Sequence, residues 1–208
     1  FNDRALEVLL ITQPDEADIS ALNAVLDRYS VGVTLYNGQP NQSETFTTLF
    51  DRLAQGKIVT ARAGYTLELD DGTRLEILHP TEAPGLDDSL DEYALVARLS
   101  YGSVSVLLTG DISRESQQAL LAAGQWPLAT IMQMPKHGGI RSLDEVFLQA
   151  VQPQLAVLQA DRTNRLGDPD ADTLALLGDI PVYRTDQGGT IHLWTDGVSL
   201  WANQSNAQ

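Results

Sequence analysis

The stretch that decides the fold runs Leu9-Leu10-Ile11-Thr12-Gln13-Pro14-Asp15-Glu16-Ala17-Asp18-Ile19. An apolar run ends in a carboxylate-rich bend, and apolar residues at helical spacing follow from Ile19. This order predicts a buried strand, a polar turn and a helix. Asp15 and Asp18 stand where helices favour acidic side chains, so they are candidate helix caps.

Strands and helices alternate outward from this bend. Strands are predicted at Leu6 to Thr12 and Val31 to Tyr36, with a helix between them. Ser43 is predicted to cap the next helix, and Ser142 to cap a later helix over Leu143 to Val151. Asp70-Asp71-Gly72 predicts a hairpin in an antiparallel middle region. We expect an α/β (α+β) chain of two sheets covered by outer helices.

Bulk composition narrows the class of protein. The 208 residues are 43% hydrophobic and 20% charged, as in an ordinary globular domain, and residues 1–208 are predicted to form a single domain. The chain contains no cysteine, which excludes disulfides and thiolate-bound zinc. The net charge of −15 disfavours broad electrostatic binding of DNA. A metal could still supply local positive charge.

Eight segments resemble, in order, the carboxy-terminal domain of ComEC-type DNA-uptake competence proteins, a branch of the metallo-β-lactamase superfamily. They comprise Ile11 to Asp15, Ala61 to Gly64, Ile77 to Pro80, Leu99 to Gly102, Leu107 to Asp111, Pro135 to Gly139, Asn164 to Asp170 and Val182 to Thr190. The resemblance implies an αβ/βα sandwich with a metal site at one edge. It also implies metal-dependent phosphodiester cleavage. The chain would then be a soluble domain of a bacterial membrane protein, and the sequence does not determine on which side of the membrane this domain lies.

The ligand positions of that family are altered here. At the first motif its leading His corresponds to Gln13, its first Asp to Asp15, its second Asp to Ala17 and its closing His to Asp18. The bridging carboxylate is retained as Asp111. A His-His-Gly-Ser motif has become Lys136-His137-Gly138-Gly139, and the two late His are Asp168 and Asp170.

Two interpretations follow from this altered set. The resemblance makes six residues the members of a vestigial metal site: Asp15, Asp18, Asp111, His137, Asp168 and Asp170. The favoured interpretation is a non-catalytic domain that binds no cofactor and uses its carboxylates as helix caps or solvated groups. The alternative is a phosphodiesterase or nuclease with an oxygen-rich site for Mn²⁺, Mg²⁺ or Ca²⁺, which prefer carboxylates over imidazole, Zn²⁺ being less suited.

The segment before Gln13 is shorter than the resemblance would require. Opening strands of one sheet are therefore expected to be missing or truncated, so the expected partners are the rest of a membrane DNA-uptake protein, a second chain that completes the sheet, or a homodimer. DNA as a partner is disfavoured by the net charge. His79 is predicted to be a structural or surface residue, and His192 to serve packing rather than chemistry. Trp126, Trp194 and Trp201 are predicted to pack in or at the rim of the core rather than to stack on bases.

Overall fold

The structure is a computed structural model that describes residues 4–163 and 167–205. Its opening unit is a three-stranded parallel sheet in the order β1-β2-β3. The elements of this unit are β1 Ala5–Ile11, α1 Glu16–Ile19, α2 Leu22–Leu26, β2 Ser30–Tyr36, α3 Glu44–Leu53 and β3 Lys57–Thr60. The predicted helix after the first bend is thus two short helices. The Ser43 cap is confirmed, because its side chain accepts a hydrogen bond from the Phe46 N–H.

A seven-stranded mixed sheet forms the second layer, in the order β10-β9-β8-β7-β6-β5-β4. Its strands are β4 Thr66–Glu68, β5 Arg74–His79, β6 Val96–Tyr101, β7 Val104–Leu108, β8 Ile131–Gln133, β9 Leu155–Leu158 and β10 Val182–Arg184. The strands from β4 to β7 pair antiparallel, whereas β7 to β10 pair parallel. The parallel half requires crossover connections, and helices supply them. These helices are α4 Arg114–Ala122, α5 Glu145–Val151 and α6 Ala171–Ala175.

Three apolar clusters show how the layers stack. Leu35 of the first sheet packs with Ile77 of the second and with Leu95, which immediately precedes β6, and these contacts join the two sheets face to face. Ile11 and Leu49 belong to a second cluster, between the first sheet and its helices. The third cluster fills the space between the second sheet and helices α4 and α5. Alternate side chains of each strand enter opposite layers, so the arrangement is the predicted αβ/βα sandwich.

The cap of α5 differs from the prediction. Asp144, not Ser142, begins this helix, and its Oδ1 accepts hydrogen bonds from the N–H groups of Val146 at 3.0 Å and Phe147 at 3.1 Å. A carboxylate can satisfy two of these free N–H groups and also favours the positive end of the helix dipole. The prediction of Ser142 was wrong because Leu143 suits the apolar pattern of a helix while lying before its first turn.

The last strands form a separate two-stranded sheet. Strands β11 Thr190–Thr195 and β12 Leu200–Ser205 follow the short helix α7 Thr185–Gly188 and pair only with each other in the described part of the chain. Trp194 faces Trp201 across this hairpin, with ring centroids 6.4 Å apart, and both are about half exposed. Trp126 is 73% exposed. None of the three tryptophans lies in the core, so of the predicted core or rim positions the core is excluded. Trp194 and Trp201 are on the exposed face of their strands, and Trp126 is in the loop after α4.

The two histidines outside the candidate site, His79 and His192, differ in burial. His79 is buried at the end of β5, as predicted for a structural residue, whereas His192 lies on the exposed face of β11. Among residues 4–163 and 167–205 no helix is long and apolar enough to cross a membrane.

Candidate functional site

The first side of the candidate site is the bend after β1. Gln13 is buried there, and Asp15 begins α1 by accepting a hydrogen bond from the Ala17 N–H at 2.8 Å. Asp18 follows within the same short helix. The bend is fixed to the second sheet because the Leu95 N–H donates to the Thr12 carbonyl at 2.9 Å. The same bend therefore positions Asp15 and Asp18 and lets Asp15 cap α1.

The second side is the turn after β7, which carries Asp111. Gly110 has a φ of +51°, and a Cβ added to it would lie 3.3 Å from the Thr12 side chain. A glycine is therefore needed both for the left-handed backbone and for the close approach of the two turns. This approach brings Asp111 beside the bend that holds Gln13 and Asp18.

We call the group of Gln13, Asp15, Asp18, Asp111 and His137 the acidic centre. Gln13 Nε2 donates toward Asp18 Oδ2 at 3.3 Å and toward Asp111 Oδ2 at 3.5 Å. Both contacts are long, so each is a weak hydrogen bond. Gln13 Oε1 is buried and has no hydrogen-bond partner among the described residues. The amide hydrogens therefore point toward both carboxylates, in the place where a cation shared by Asp18 and Asp111 would lie.

Burial and neighbouring charge raise the pKa of two residues in the acidic centre, Asp18 and Asp111. Burial raises the pKa of Asp18, and the neighbouring Asp111 and Asp15 carboxylates raise it further, against the hydrogen bond from Gln13. Burial is also the largest cause of the raised pKa of Asp111. His137 and Lys136 act in the opposite direction on Asp111, while Asp91 and Asp15 add to the rise. The two carboxylates are thus only partly compensated by protein groups.

The third side is the 3-10 segment Pro135–Gly138, whose backbone is unusual. Lys136 and His137 have φ of +47° and +54° without being glycine. Such conformations cost free energy and persist only where surrounding contacts hold them. His137 Nδ1 lies 2.9 Å from the Gln159 carbonyl, and Lys136 Nζ lies 2.5 Å from Asp91 Oδ2. The lysine that replaces a family histidine therefore already has a carboxylate partner.

The late motif is brought to this segment by backbone contacts. Asp170 begins α6 by accepting from the Thr173 N–H at 3.0 Å, and its own N–H donates to the Gly138 carbonyl at 2.9 Å. Asp168 Oδ1 lies 2.8 Å from the position of a Cβ added to Gly139. Residues 164–166 of this motif lie outside the described part of the chain. Asp15 and Asp170 thus serve as helix caps, as the non-catalytic interpretation requires.

The donor set does not fit the metal site that the resemblance implies. Position 13 directs N–H groups toward the carboxylates, Ala17 carries no ligand atom, and Lys136 brings a cation into the same region. Within residues 4–163 and 167–205 no three His, Asp or Glu side chains are grouped so that they could hold a metal ion. Sequence reasoning missed Asp91, because it lies in an acidic loop that is typical of a solvated surface and is far in sequence from Lys136.

The fold and the centre together define a class. The chain has a metallo-β-lactamase-like fold, and two solved structures are similar to it. The first is a variant of the β-hydroxylase CmlA, with a TM-score of 0.55 and 14% identity, and the match covers 87% of this chain and 43% of that one. A protein described as a metal-dependent hydrolase from Parabacteroides distasonis has a TM-score of 0.51 and 13% identity, covering 86% and 76%. At these identities the likeness is one of fold.

Within that class the chain is similar to competence proteins. It is 29% identical over 192 residues to ComE operon protein 3 of Bacillus subtilis, covering 90% of this chain and 24% of that protein. It is 28% identical over 124 residues to competence protein ComA of Neisseria gonorrhoeae, covering 58% and 18%. The resemblance seen in the sequence is confirmed, and the chain spans about a quarter or less of these relatives. No family model matches the chain.

Proposed function

We propose that the chain is a non-catalytic metallo-β-lactamase-like domain of a ComEC-type DNA-uptake membrane protein. The observation that carries this proposal is the Gln13 side chain, whose N–H groups face Asp18 and Asp111. Two-metal phosphoryl transfer requires lone pairs converging on cations, so that a metal-bound water can attack. The Gln13 N–H groups instead place hydrogen-bond donors, with partial positive charge, where a cation would need lone pairs.

The lysine at position 136 supports the same conclusion. Its ammonium pairs with Asp91 and opposes the rise in the pKa of Asp111, as a nearby cation does. A divalent ion beside Asp111 would be repelled by this fixed positive charge. The centre is therefore partly neutralised by residues of the chain itself, and the turns around it serve the packing of the two sheets.

Calorimetric titration with Mn²⁺, Mg²⁺ and Zn²⁺ tests the proposal. We expect no binding in the micromolar range for any of the three ions. Micromolar binding that is lost in Asp111→Ala and kept in Asp70→Ala would overturn the proposal, because Asp70 is an exposed carboxylate on the distant hairpin between β4 and β5. The control variant excludes nonspecific attraction to an acidic protein.

A second candidate is a metal-dependent phosphodiesterase that uses Mn²⁺, Mg²⁺ or Ca²⁺. The raised pKa values of Asp18 and Asp111 favour it, because a hard cation would relieve their burial and mutual repulsion. It requires binding in the titration above and also cleavage of single-stranded or double-stranded DNA by the ion-loaded protein. Cleavage that Asp111→Ala abolishes would establish this function in place of the first.

The partner surface that we propose is the edge of the three-stranded sheet. Strand β1 lies at the end of this sheet in the described part of the chain, and edge strands present backbone groups to a further strand. The proposed occupant is a strand from the rest of the membrane protein or from a second chain. Sedimentation over a range of concentrations distinguishes them, since only a second copy of this chain gives a concentration-dependent dimer.

A further inference from the structure

A short stretch of irregular backbone joins the two layers of the sandwich beside the acidic centre. We call residues 88–93 the strap; they lie between β5 and β6 and form no helix or strand. Backbone carbonyls of the strap accept hydrogen bonds from groups outside it, at Asp88, Asp91, Glu92 and Tyr93. The strap is therefore held largely by donors of its neighbours and not by a secondary structure of its own.

These donors come from both layers. The loop after β2 donates to the strap through Gln39 Nε2 at 2.8 Å and Asn37 Nδ2 at 2.9 Å. The start of α4 donates to it through the Ser113 N–H at 3.1 Å and Ser116 Oγ at 2.9 Å. The strap thus bridges the first sheet and the helix layer of the second.

His79 supplies a further donor, from the end of β5. Its Nε2 lies 2.8 Å from the Glu92 carbonyl oxygen, which also accepts from Ser116 Oγ. A carbonyl can only accept a hydrogen bond, so neutral His79 carries its proton on Nε2. Of the side chains that bond these carbonyls, a histidine alone changes its charge between about pH 5 and pH 8.

The surroundings of His79 do not suit its charged form. His79 is 6% exposed, and its Nδ1 is buried without a hydrogen-bond partner among residues 4–163 and 167–205. Both nitrogens of an imidazolium are donors, so protonation would enclose an N–H group without an acceptor, together with a charge. The closed strap therefore requires neutral His79.

The charged groups around His79 do not remove this conflict. The titratable residues that line the cleft beside it are Glu82, Glu92, Tyr93 and Glu115. On β5 and its partner β6, Glu76 and Arg98 neutralise each other in an ion pair at 2.6 Å. The pKa of His79 is nevertheless lowered from 6.5, because burial outweighs the hydrogen bond to the Glu92 carbonyl.

We propose that His79 is a pH-sensitive latch of the strap: its protonation in mild acid releases residues 88–93 from β5 and α4. Release takes the Asp91 carboxylate away from Lys136, from which it is 2.5 Å distant in the closed form. The Lys136 ammonium then acts on Asp111 without its own carboxylate partner. The charge of the acidic centre therefore changes with the state of the latch.

The direction of the pH effect follows from the lowered pKa of His79. In the opened strap the imidazole meets water and regains its ordinary pKa of 6.5, so the open form binds more protons than the closed form. Opening is therefore independent of His79 well above pH 6.5. Below this pH, opening becomes easier by up to about tenfold per pH unit, until the pH reaches the lowered pKa of the closed form.

Amide hydrogen exchange followed by NMR measures this opening. The Ser113 N–H reports on the strap because it donates to the Asp91 carbonyl, whereas the Ala123 N–H donates to the Ala119 carbonyl at the other end of α4. Each exchange rate is divided by the intrinsic rate at the same pH. We expect the protection of Ser113 to fall by up to about tenfold per pH unit below pH 6.5, while that of Ala123 is kept.

Variants connect the loss of protection to the imidazole. In His79→Gln the new amide can donate from a similar position but does not titrate, so the protection of Ser113 should no longer depend on pH. His192→Gln is the matched control, because His192 lies on the exposed face of β11, and it should keep the wild-type fall. Ser116→Ala removes the second donor to the Glu92 carbonyl, so it should lower protection at every pH without changing the slope.

Three results would overturn the proposal: protection of Ser113 that is constant from about pH 7.5 to pH 5, an equal fall in His79→Gln, or a loss at Ala123 in step with Ser113. If His79→Gln does not fold, the NMR titration of the His79 ring in the wild type decides. A ring that titrates at its ordinary pKa while Ser113 stays protected contradicts the latch, and titration in step with the loss of protection supports it. Neither experiment involves metal or DNA, so the latch can fail while the proposed function stands.

Discussion

The acidic centre and the start of α5 both place carboxylates inside the fold, yet these carboxylates are matched differently. In the acidic centre, the Gln13 amide faces Asp18 and Asp111 over long contacts of 3.3 and 3.5 Å. At the start of α5, the Asp144 carboxylate accepts from the Val146 and Phe147 N–H groups at 3.0 and 3.1 Å and pairs with Arg114. Acidity alone therefore does not indicate a ligand site. The balance of donors and acceptors decides whether the chain or a ligand completes it.

The largest effect on this comparison is expected from the backbone under the acidic centre. Gly138 has a φ of +72°, and an added Cβ would lie 2.8 Å from Leu158 Cδ1 and 3.0 Å from Pro169 Cβ. Gly138→Ala should therefore lower the free energy of unfolding by about 2–4 kcal/mol through crowding and the left-handed backbone. Urea denaturation measures the loss.

Gly124→Ala is the matched control for that variant. Gly124 has a φ of +75°, but an added Cβ meets no heavy atom within 4 Å. We expect a loss of about 1–2 kcal/mol from backbone conformation alone. Equal losses in the two variants would contradict the view that close packing of the late motif against Gly138 holds the centre together.

These turns were predictable from the sequence to a useful extent. The apolar run and polar bend from Leu9 to Ile19 predicted β1 and a helix after it. Local rules suffice for such features, because spacing along the chain sets them. The resemblance then predicted that the turns meet at one edge of the sandwich.

The pairing of side chains could not be predicted in the same way. Lys136 and Asp91 lie 45 positions apart, and only the packing of the sheets brings them together. The direction of the Gln13 amide depends on which of its ends meets Asp18 and Asp111. The choice between core and rim for Trp194 and Trp201 could not be made, since strand alternation does not reveal which face is covered when a hairpin stands apart from the main sheets.

Asp144 offers a fully matched carboxylate for comparison with those of the acidic centre. Burial acts to raise its pKa, but hydrogen bonds from Gln118, the Phe147 N–H and Arg114 outweigh it, and the pKa is lowered from 3.8. Asp144→Asn should lose about 1–2 kcal/mol of unfolding free energy at neutral pH, because the charged cap of α5 is removed.

The pH dependence of this loss follows from the direction of the shift. A carboxyl whose folded pKa lies below its unfolded value stabilises the fold above the unfolded pKa, and this stabilisation disappears as pH falls through the folded pKa. The difference between the wild type and Asp144→Asn should be full at neutral pH and shrink below about pH 4. Urea midpoints across this range measure it. A difference that stays constant into strong acid would show that the charge of Asp144 contributes nothing.

The smallest effect is expected at Gln13, where the matching is weakest. Gln13→Leu removes two long hydrogen bonds, but it also removes the buried Oε1 that has no partner in the described chain. These changes oppose each other, so the unfolding free energy should change by less than about 1 kcal/mol. The pKa of Asp18 should rise further, because the Gln13 hydrogen bond lowers it. An NMR titration of the aspartate carboxyl carbons follows that change.

Gln39→Leu is the matched control for the unfolding free energy of Gln13→Leu. Gln39 is equally buried, but its Nε2 donates to the Asp88 carbonyl at 2.8 Å, so its removal leaves a good acceptor without its donor. That variant should lose about 1–3 kcal/mol. If Gln13→Leu lost as much, Gln13 would be a structural donor like Gln39. A small loss with a raised Asp18 pKa would instead show that Gln13 acts mainly on the charge of the acidic centre.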